Sequence, residues 1–127
     1  MHRLLSLFTL GLALLGFGCT AATDPQTLDL IRSDSRVLID VRTPGEFADG
    51  HLAGATRIAY EDIGARIGTL VPDKATPIVL YCRSGRRSGI ARQTLLDLGY
   101  RQVINAGGFE QLHSELGTSS CKPQVNC

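Results

Sequence analysis

Residues 78–87 read Ile78-Val79-Leu80-Tyr81-Cys82-Arg83-Ser84-Gly85-Arg86-Arg87. The first four side chains are apolar whichever face they point to, which predicts a strand buried on both faces. The chain then turns abruptly polar and basic. From Ser88 to Leu98, the residues Ile90, Ala91, Thr94, Leu95 and Leu98 fall along one side of a helix, and Gly99 is its natural stop. A doubly buried strand, a short glycine-containing loop and a helix form the repeating unit of a parallel α/β sheet. In such sheets, sites form beyond the carboxyl ends of the strands, where loops feed helix N-termini. Cys82 occupies that place.

That position decides how the cysteine is read. Backbone N–H groups of a short loop around Gly85 can converge on the sulfur, and the positive end of the helix dipole favours an anion there. Arg83, Arg86 and Arg87 add fixed positive charge. All three effects lower a thiol pKa, and the thiolate is the nucleophilic form. The plain alternative is a structural cysteine beside a solvated basic loop. The glycine and the three arginines together favour the nucleophile.

Working outward, Val37-Leu38-Ile39-Asp40-Val41 repeats the pattern of a buried strand. Ahead of it, Asp24-Pro25 reads as an N-cap followed by proline at the first helical position. Leu28, Leu30 and Ile31 then give a short amphipathic helix ending near Ser33. Thr43-Pro44 breaks the strand, and residues 45–49 suit a helical turn. Gly50 and Gly54 flank a tight connection to a short strand over 55–58. Ile63, Ile67 and Leu70 predict a helix over 61–70. A further strand is expected at 102–105, after which Gly107-Gly108 turns the chain into a last helix, 109–116. The alternation predicts an α/β fold: a small parallel β-sheet of four or five strands with helices on both faces.

The chain has 127 residues, which is room for one domain. Its formal charge is +1 and it has no Trp. Neither bulk charge nor a stacking platform supports nucleic-acid binding; size and near-neutral charge fit a monomer. Residues 4–17, LLSLFTLGLALLGF, follow His2-Arg3 and fall short of the roughly 20 apolar residues a bilayer span needs. A basic start, an apolar core and small residues after it describe a secretory signal peptide over 1–22. Cleavage at Thr20-Ala21-Ala22 is one reading. Lipidation of Cys19, in the lipoprotein-like stretch Gly16-Phe17-Gly18-Cys19, is the other. Both place the protein outside the cytoplasm, the second with a lipid anchor. The tail, 118–127, has no periodicity and carries Cys121 and Cys127. A disulfide between them is the default in an exported protein. A resolving thiol for Cys82 is the competing reading.

Cys82-Arg83-Ser84-Gly85-Arg86-Arg87 resembles the six-residue active loop of the rhodaneses, C-R-x-G-x-R. Leu38-Ile39-Asp40-Val41-Arg42, then Pro44, Glu46-Phe47 and Gly50-His51-Leu52-Ala53-Gly54-Ala55, resemble the upstream signature of that family. Gly99-Tyr100 and Asn105-Ala106-Gly107-Gly108-Phe109 resemble its downstream signature. The resemblance covers about residues 24–117 and is strongest to the small, single-domain, phage-shock type of the periplasm. It implies a rhodanese fold and persulfide chemistry. Cys82 would attack the outer sulfur of thiosulfate, release sulfite, and pass the sulfur to cyanide or a thiol. Arg83, Ser84, Gly85, Arg86, Arg87 and Ser88 would bind the donor. The scheme needs no metal and no organic cofactor. The residues read on their own agree, since three arginines and convergent amides suit a small dianion. Related phosphatases and arsenate reductases place Arg six positions after Cys, where this chain has Ser88. Two alternatives stand beside sulfurtransfer: a carrier that hands persulfide to a partner protein, and an idle interaction domain. The intact Cys82 and filled loop argue against the latter.

Other polar residues read as support. Asp40 at a buried strand end needs a partner, a loop backbone or an arginine. Arg42 is expected to pair with Glu46 and fix the 43–50 turn. His51 is expected to hydrogen-bond structurally, away from the sulfur, and His113 to be exposed. No Cys/His spacing suggests zinc.

Overall fold

The structure is a computed structural model; it describes residues 22–117 and the backbone of 120–121. Four parallel strands form the central sheet: β1 (Val37–Asp40), β3 (Thr56–Arg57), β4 (Ile78–Cys82) and β5 (Val103–Gly108), in the order β3-β1-β4-β5. β4 is central and all five of its residues are buried. Val37 pairs with Ile78 and Asp40 with Tyr81, while Cys82 pairs with Gly108 beyond an irregularity between Leu80 and Cys82.

The period-two alternation of β4 divides the core. Ile78, Leu80 and Cys82 face one apolar cluster, with Ile63 and Ile67 of α3 (Ile63–Leu70) and Ala91 and Leu95 of α4 (Arg86–Asp97). Val79 and Tyr81 face the other, with Ile31 of α1 (Pro25–Arg32) and Phe109, Leu112 and Leu116 of α5 (Phe109–Leu116). Helices therefore cover both faces. Each large apolar side chain buried this way contributes about 1.5–3 kcal/mol relative to exposure. The continuous apolar run of β4 is what permits a layer on either side.

Local signals account for the helix starts. The Asp24 carboxylate accepts from the Thr27 amide at 3.0 Å, with Pro25 at the first position of α1. α2 (Pro44–Asp49) opens with a capping box, in which Thr43 Oγ1 accepts from the Glu46 amide at 3.2 Å and Glu46 Oε1 accepts from the Thr43 amide at 3.3 Å.

The structure departs from the sequence reading in several places. Helix α4 begins at Arg86, two residues before Ser88, and buries Ser88, Ala91 and Leu95. Ile90 and Leu98 were expected on that side but are exposed, at 44% and 43%. Ile90 lies more than a quarter turn from the Ser88–Ala91–Leu95 stripe, and Leu98 follows the last helical residue. His113 is half-buried and stacks on Phe109, with ring centroids 5.6 Å apart. Two short strands went unread: β2 (His51–Leu52) pairs antiparallel with β6 (Ser120–Cys121), setting His51 opposite Cys121. The expected Cys121–Cys127 bridge and the readings of Cys19 lie outside the described side chains.

Candidate active site

Cys82 is the last residue of β4 and has no exposed surface. The chain then makes one tight turn. Gly85 takes a φ of 92°, the left-handed region open to glycine at little cost. That turn aims the Gly85 amide at the Cys82 sulfur, 3.0 Å away. The Gly85 carbonyl points the other way, accepting from the Gly89 amide and from Asn105 Nδ2, both at 2.9 Å. Ser88, in the first turns of α4, places its Oγ 3.4 Å from the sulfur. Burial pushes the thiol pKa up. Hydrogen bonds from the Ser88 hydroxyl and from the Ser88, Ser84 and Gly85 amides outweigh it and bring the thiol below its ordinary value.

The loop is seated against the end of β5. A Cβ on Gly108 would stand 2.5 Å from the Arg83 carbonyl oxygen, so only glycine lets the loop backbone lie this close. With Arg83's carbonyl turned to Gly108, the following amides are left to face the sulfur.

The arginines divide into one bound and two unbound. Arg87 grips Glu46 of α2 with both ends, Nη1 to Oε1 at 2.7 Å and Nη2 to Oε2 at 2.9 Å. It thereby ties the first turn of α4 to α2. Among the described residues, Arg83 and Arg86 make no hydrogen bond or ion pair, and both are exposed. Clefts flank the loop on two sides. One, of about 390 Å³, is lined by Ser84, Gly85, Asn105, Gly107 and Gln111, with Thr23, Asp24 and Thr27 of the α1 end. The other, of about 340 Å³, is lined by Arg83, Arg42, Glu46, Asp49 and Phe109 among others.

The Arg87 hydrogen bonds hold the Glu46 carboxyl well below the usual range, at about 2. A carboxyl whose folded pKa is depressed stabilises the fold above its unfolded pKa and loses that contribution as pH falls through the folded value. The window here runs from about 4.5 down to about 2. The pair is partly open to water, so its contribution is about 1 kcal/mol. Urea titrations of wild type and Glu46→Gln should show that difference at pH 6 and near equality at about pH 2. A constant gap across the range would contradict the assignment.

The expected Arg42–Glu46 pair is not formed. Asp40 is fully buried and claims Arg42 instead: it accepts from the Arg42 amide at 2.9 Å, from Nε at 3.0 and 3.1 Å, and from Nη2 at 2.7 Å. Arg42 Nη2 also donates to the Gly50 carbonyl at 2.6 Å, and its guanidinium lies 4.5 Å from the Phe109 ring centre. A buried carboxylate outcompetes a half-exposed one because it has no water to fall back on. His51 stacks on Phe47 at 3.6 Å, with Nδ1 2.9 Å from the Phe47 carbonyl oxygen.

Asn105 is the residue that sequence reasoning passed over, noting it only as a letter in a motif. Its side chain touches Gly85, Ser88 and the Gly107 amide. An asparagine inside a strand of a small sheet is out of place by propensity, and that was the available signal.

A buried cysteine at a parallel strand's carboxyl end, cradled by the amides of a C-R-S-G-R-R loop, defines a class. A family profile described as Rhodanese-like domain matches residues 24–115, and the chain belongs to that family. Thiosulfate sulfurtransferase PspE of Escherichia coli (strain K12) is 42% identical over 74 residues, covering 58% of this chain and 71% of that protein. A sulfurtransferase of Allochromatium vinosum is 35% identical over 79 residues, covering 62% of this chain and 72% of that protein. Among solved structures, a rhodanese with anions from E. coli is 41% identical with a TM-score of 0.58, covering 60% of this chain and 89% of that one.

Proposed function

We propose that the protein is a sulfurtransferase that takes the outer sulfur of thiosulfate onto Cys82 and delivers it to cyanide or a thiol. The observation that carries this reading is the cradle itself: the Gly85 amide at 3.0 Å and the Ser88 hydroxyl at 3.4 Å from a buried sulfur. Two unpaired arginines stand at its rim.

In the first half-reaction, the Cys82 thiolate attacks the outer sulfur of thiosulfate. An S–S bond forms to Sγ, the S–S bond of thiosulfate breaks, and its electron pair leaves with sulfite. Charge is conserved, since a thiolate and a dianion become a persulfide anion and the sulfite dianion. Arg83 and Arg86 draw the dianion to the rim. The amides then hold the charge that moves to the terminal sulfur. In the second half-reaction, cyanide or a thiolate takes that sulfur and Sγ departs as thiolate. Because Cys82 has no exposed surface, the donor reaches it only when the loop around it opens. Arg87, paired with Glu46, holds α4 to α2 and adds positive charge near the sulfur, and Asp40–Arg42 braces the elements around the loop. The basic and apolar leader over residues 1–17 supports an exported setting.

The test is direct. Protein incubated with thiosulfate alone should release one sulfite per chain and gain the mass of one sulfur atom on the peptide carrying Cys82. Cyanide should then discharge it as thiocyanate. Failure to load from thiosulfate would remove thiosulfate as the donor.

A further inference from the structure

Asn105 lies on β5 with both ends of its side chain fixed by backbone. Nδ2 donates to the Gly85 carbonyl at 2.9 Å, and Oδ1 accepts from the Gly107 amide at 3.0 Å. These partners settle which end is oxygen, since neither contact survives a flip. The oxygen therefore faces Ser88. Ser88 Oγ is 2.7 Å from Asn105 Oδ1 and 3.4 Å from Cys82 Sγ. Ser88 is fully buried, so no water supplies another partner.

The Ser88 hydroxyl has one proton to donate. Asn105 Oδ1 can only accept, and a thiolate can only accept. When Sγ is a thiol or the inner sulfur of a persulfide, it carries no full charge and the proton belongs to Asn105. When Sγ is a thiolate, a charged acceptor competes more strongly and the hydroxyl swings to it. Oδ1 then keeps the Gly107 amide and, on the exposed side of Asn105, solvent.

We infer that Asn105 is a positioning residue that competes with the Cys82 sulfur for the Ser88 hydroxyl proton and so biases the site toward its sulfur-loaded form. The inference rests on the sulfurtransfer reading above, in which Sγ alternates between thiolate and persulfide. Asn105 makes the free thiolate less comfortable and hence more reactive toward the donor. It also makes Sγ a poorer leaving group in the discharge step. The charged groups around this sulfur are Arg87, which acts on it directly, Arg83 and Arg86 on the exposed loop, Glu46 held by Arg87 and Asp40 held by Arg42; none of these contacts involves Asn105.

The experiment is the pH dependence of Cys82 alkylation by iodoacetamide in full-length protein, with the Cys82→Ser protein subtracted to remove the other cysteines. Asn105→Leu fills the place with an apolar group and frees the hydroxyl for the sulfur, so the thiol pKa should fall by about half to one unit; Asn105→Ala opens that place to the cleft and its water, a competing acceptor, and should give a smaller fall. In a Ser88→Ala background the same changes should produce no fall. Loss of the Nδ2 contact to Gly85 acts oppositely: a loosened loop withdraws the Gly85 amide and raises the pKa. A rise in the variant that folds, or an equal fall without the Ser88 hydroxyl, overturns the inference. In stopped-flow half-reactions, loading by thiosulfate should slow and discharge should quicken, each by about two- to threefold. The alkylation arm needs no sulfur transfer, so it decides the role of Asn105 even if thiosulfate proves not to be the donor.

Discussion

Cys82→Ser should lose thiocyanate formation from thiosulfate and cyanide by at least about a thousandfold while keeping its fold. A serine hydroxyl ionises far above neutral pH, and it cannot form the S–S bond on which the scheme depends. The structural cost should be small. The new oxygen inherits the Gly85 amide and the Ser88 hydroxyl as partners, so its burial leaves it satisfied. The measurement is turnover alongside the thermal midpoint. Activity retained in a folded Cys82→Ser protein would sink Cys82 as the sulfur carrier and turn attention to Cys121 and Cys127.

The largest effect on stability should come from Asp40→Ala. Arg42 is 5% exposed and would keep its charge with no directly bonded carboxylate, beside the Gly50 carbonyl and two ring faces and with Glu46 acting on it from a distance. Breaking one side of a buried pair costs about 3–5 kcal/mol, because the remaining charge is uncompensated. Replacing both, as in Asp40→Leu with Arg42→Met, should cost clearly less, since no buried charge is left behind. Denaturant unfolding of the single and double variants measures both. A single substitution costing less than about 1 kcal/mol would mean that Arg42 can turn out to water.

What could be read in advance follows from physical reach. β1 and β4 were legible because their apolar runs are continuous, and α1 because Asp24-Pro25 is a local cap signal. The position of Cys82 followed from those. β5 was read too short, since Asn105-Ala106-Gly107-Gly108 has little strand propensity; its pairing with β4, including Gly108 to Cys82, carries it through. β2 and β6 have two residues each, too few to show a period. The Arg42 partner was misassigned because the choice depends on Arg87, 41 residues from Glu46, capturing that carboxylate first. Asn105 was missed for the same reason: its three contacts join a strand, a loop and a helix that only the folded chain brings together.

The loop's peptide orientation has a consequence for how such a protein can diverge. The groups nearest the sulfur are the Gly85 amide and the Ser88 hydroxyl, while the side chains of Arg83, Ser84 and Arg86 point outward. A peptide amide is the same dipole whatever residue bears it. In the proposed sulfurtransfer, positions 83, 84 and 86 can therefore exchange side chains, and with them the preferred donor or partner, without dismantling the cradle around Cys82. The fixed points are Gly85 and Gly108, where a side chain would turn the amide away or push the loop off its seat. Reactivity and selectivity are thus carried by separable parts of one short segment, one held by backbone geometry and the other open to drift.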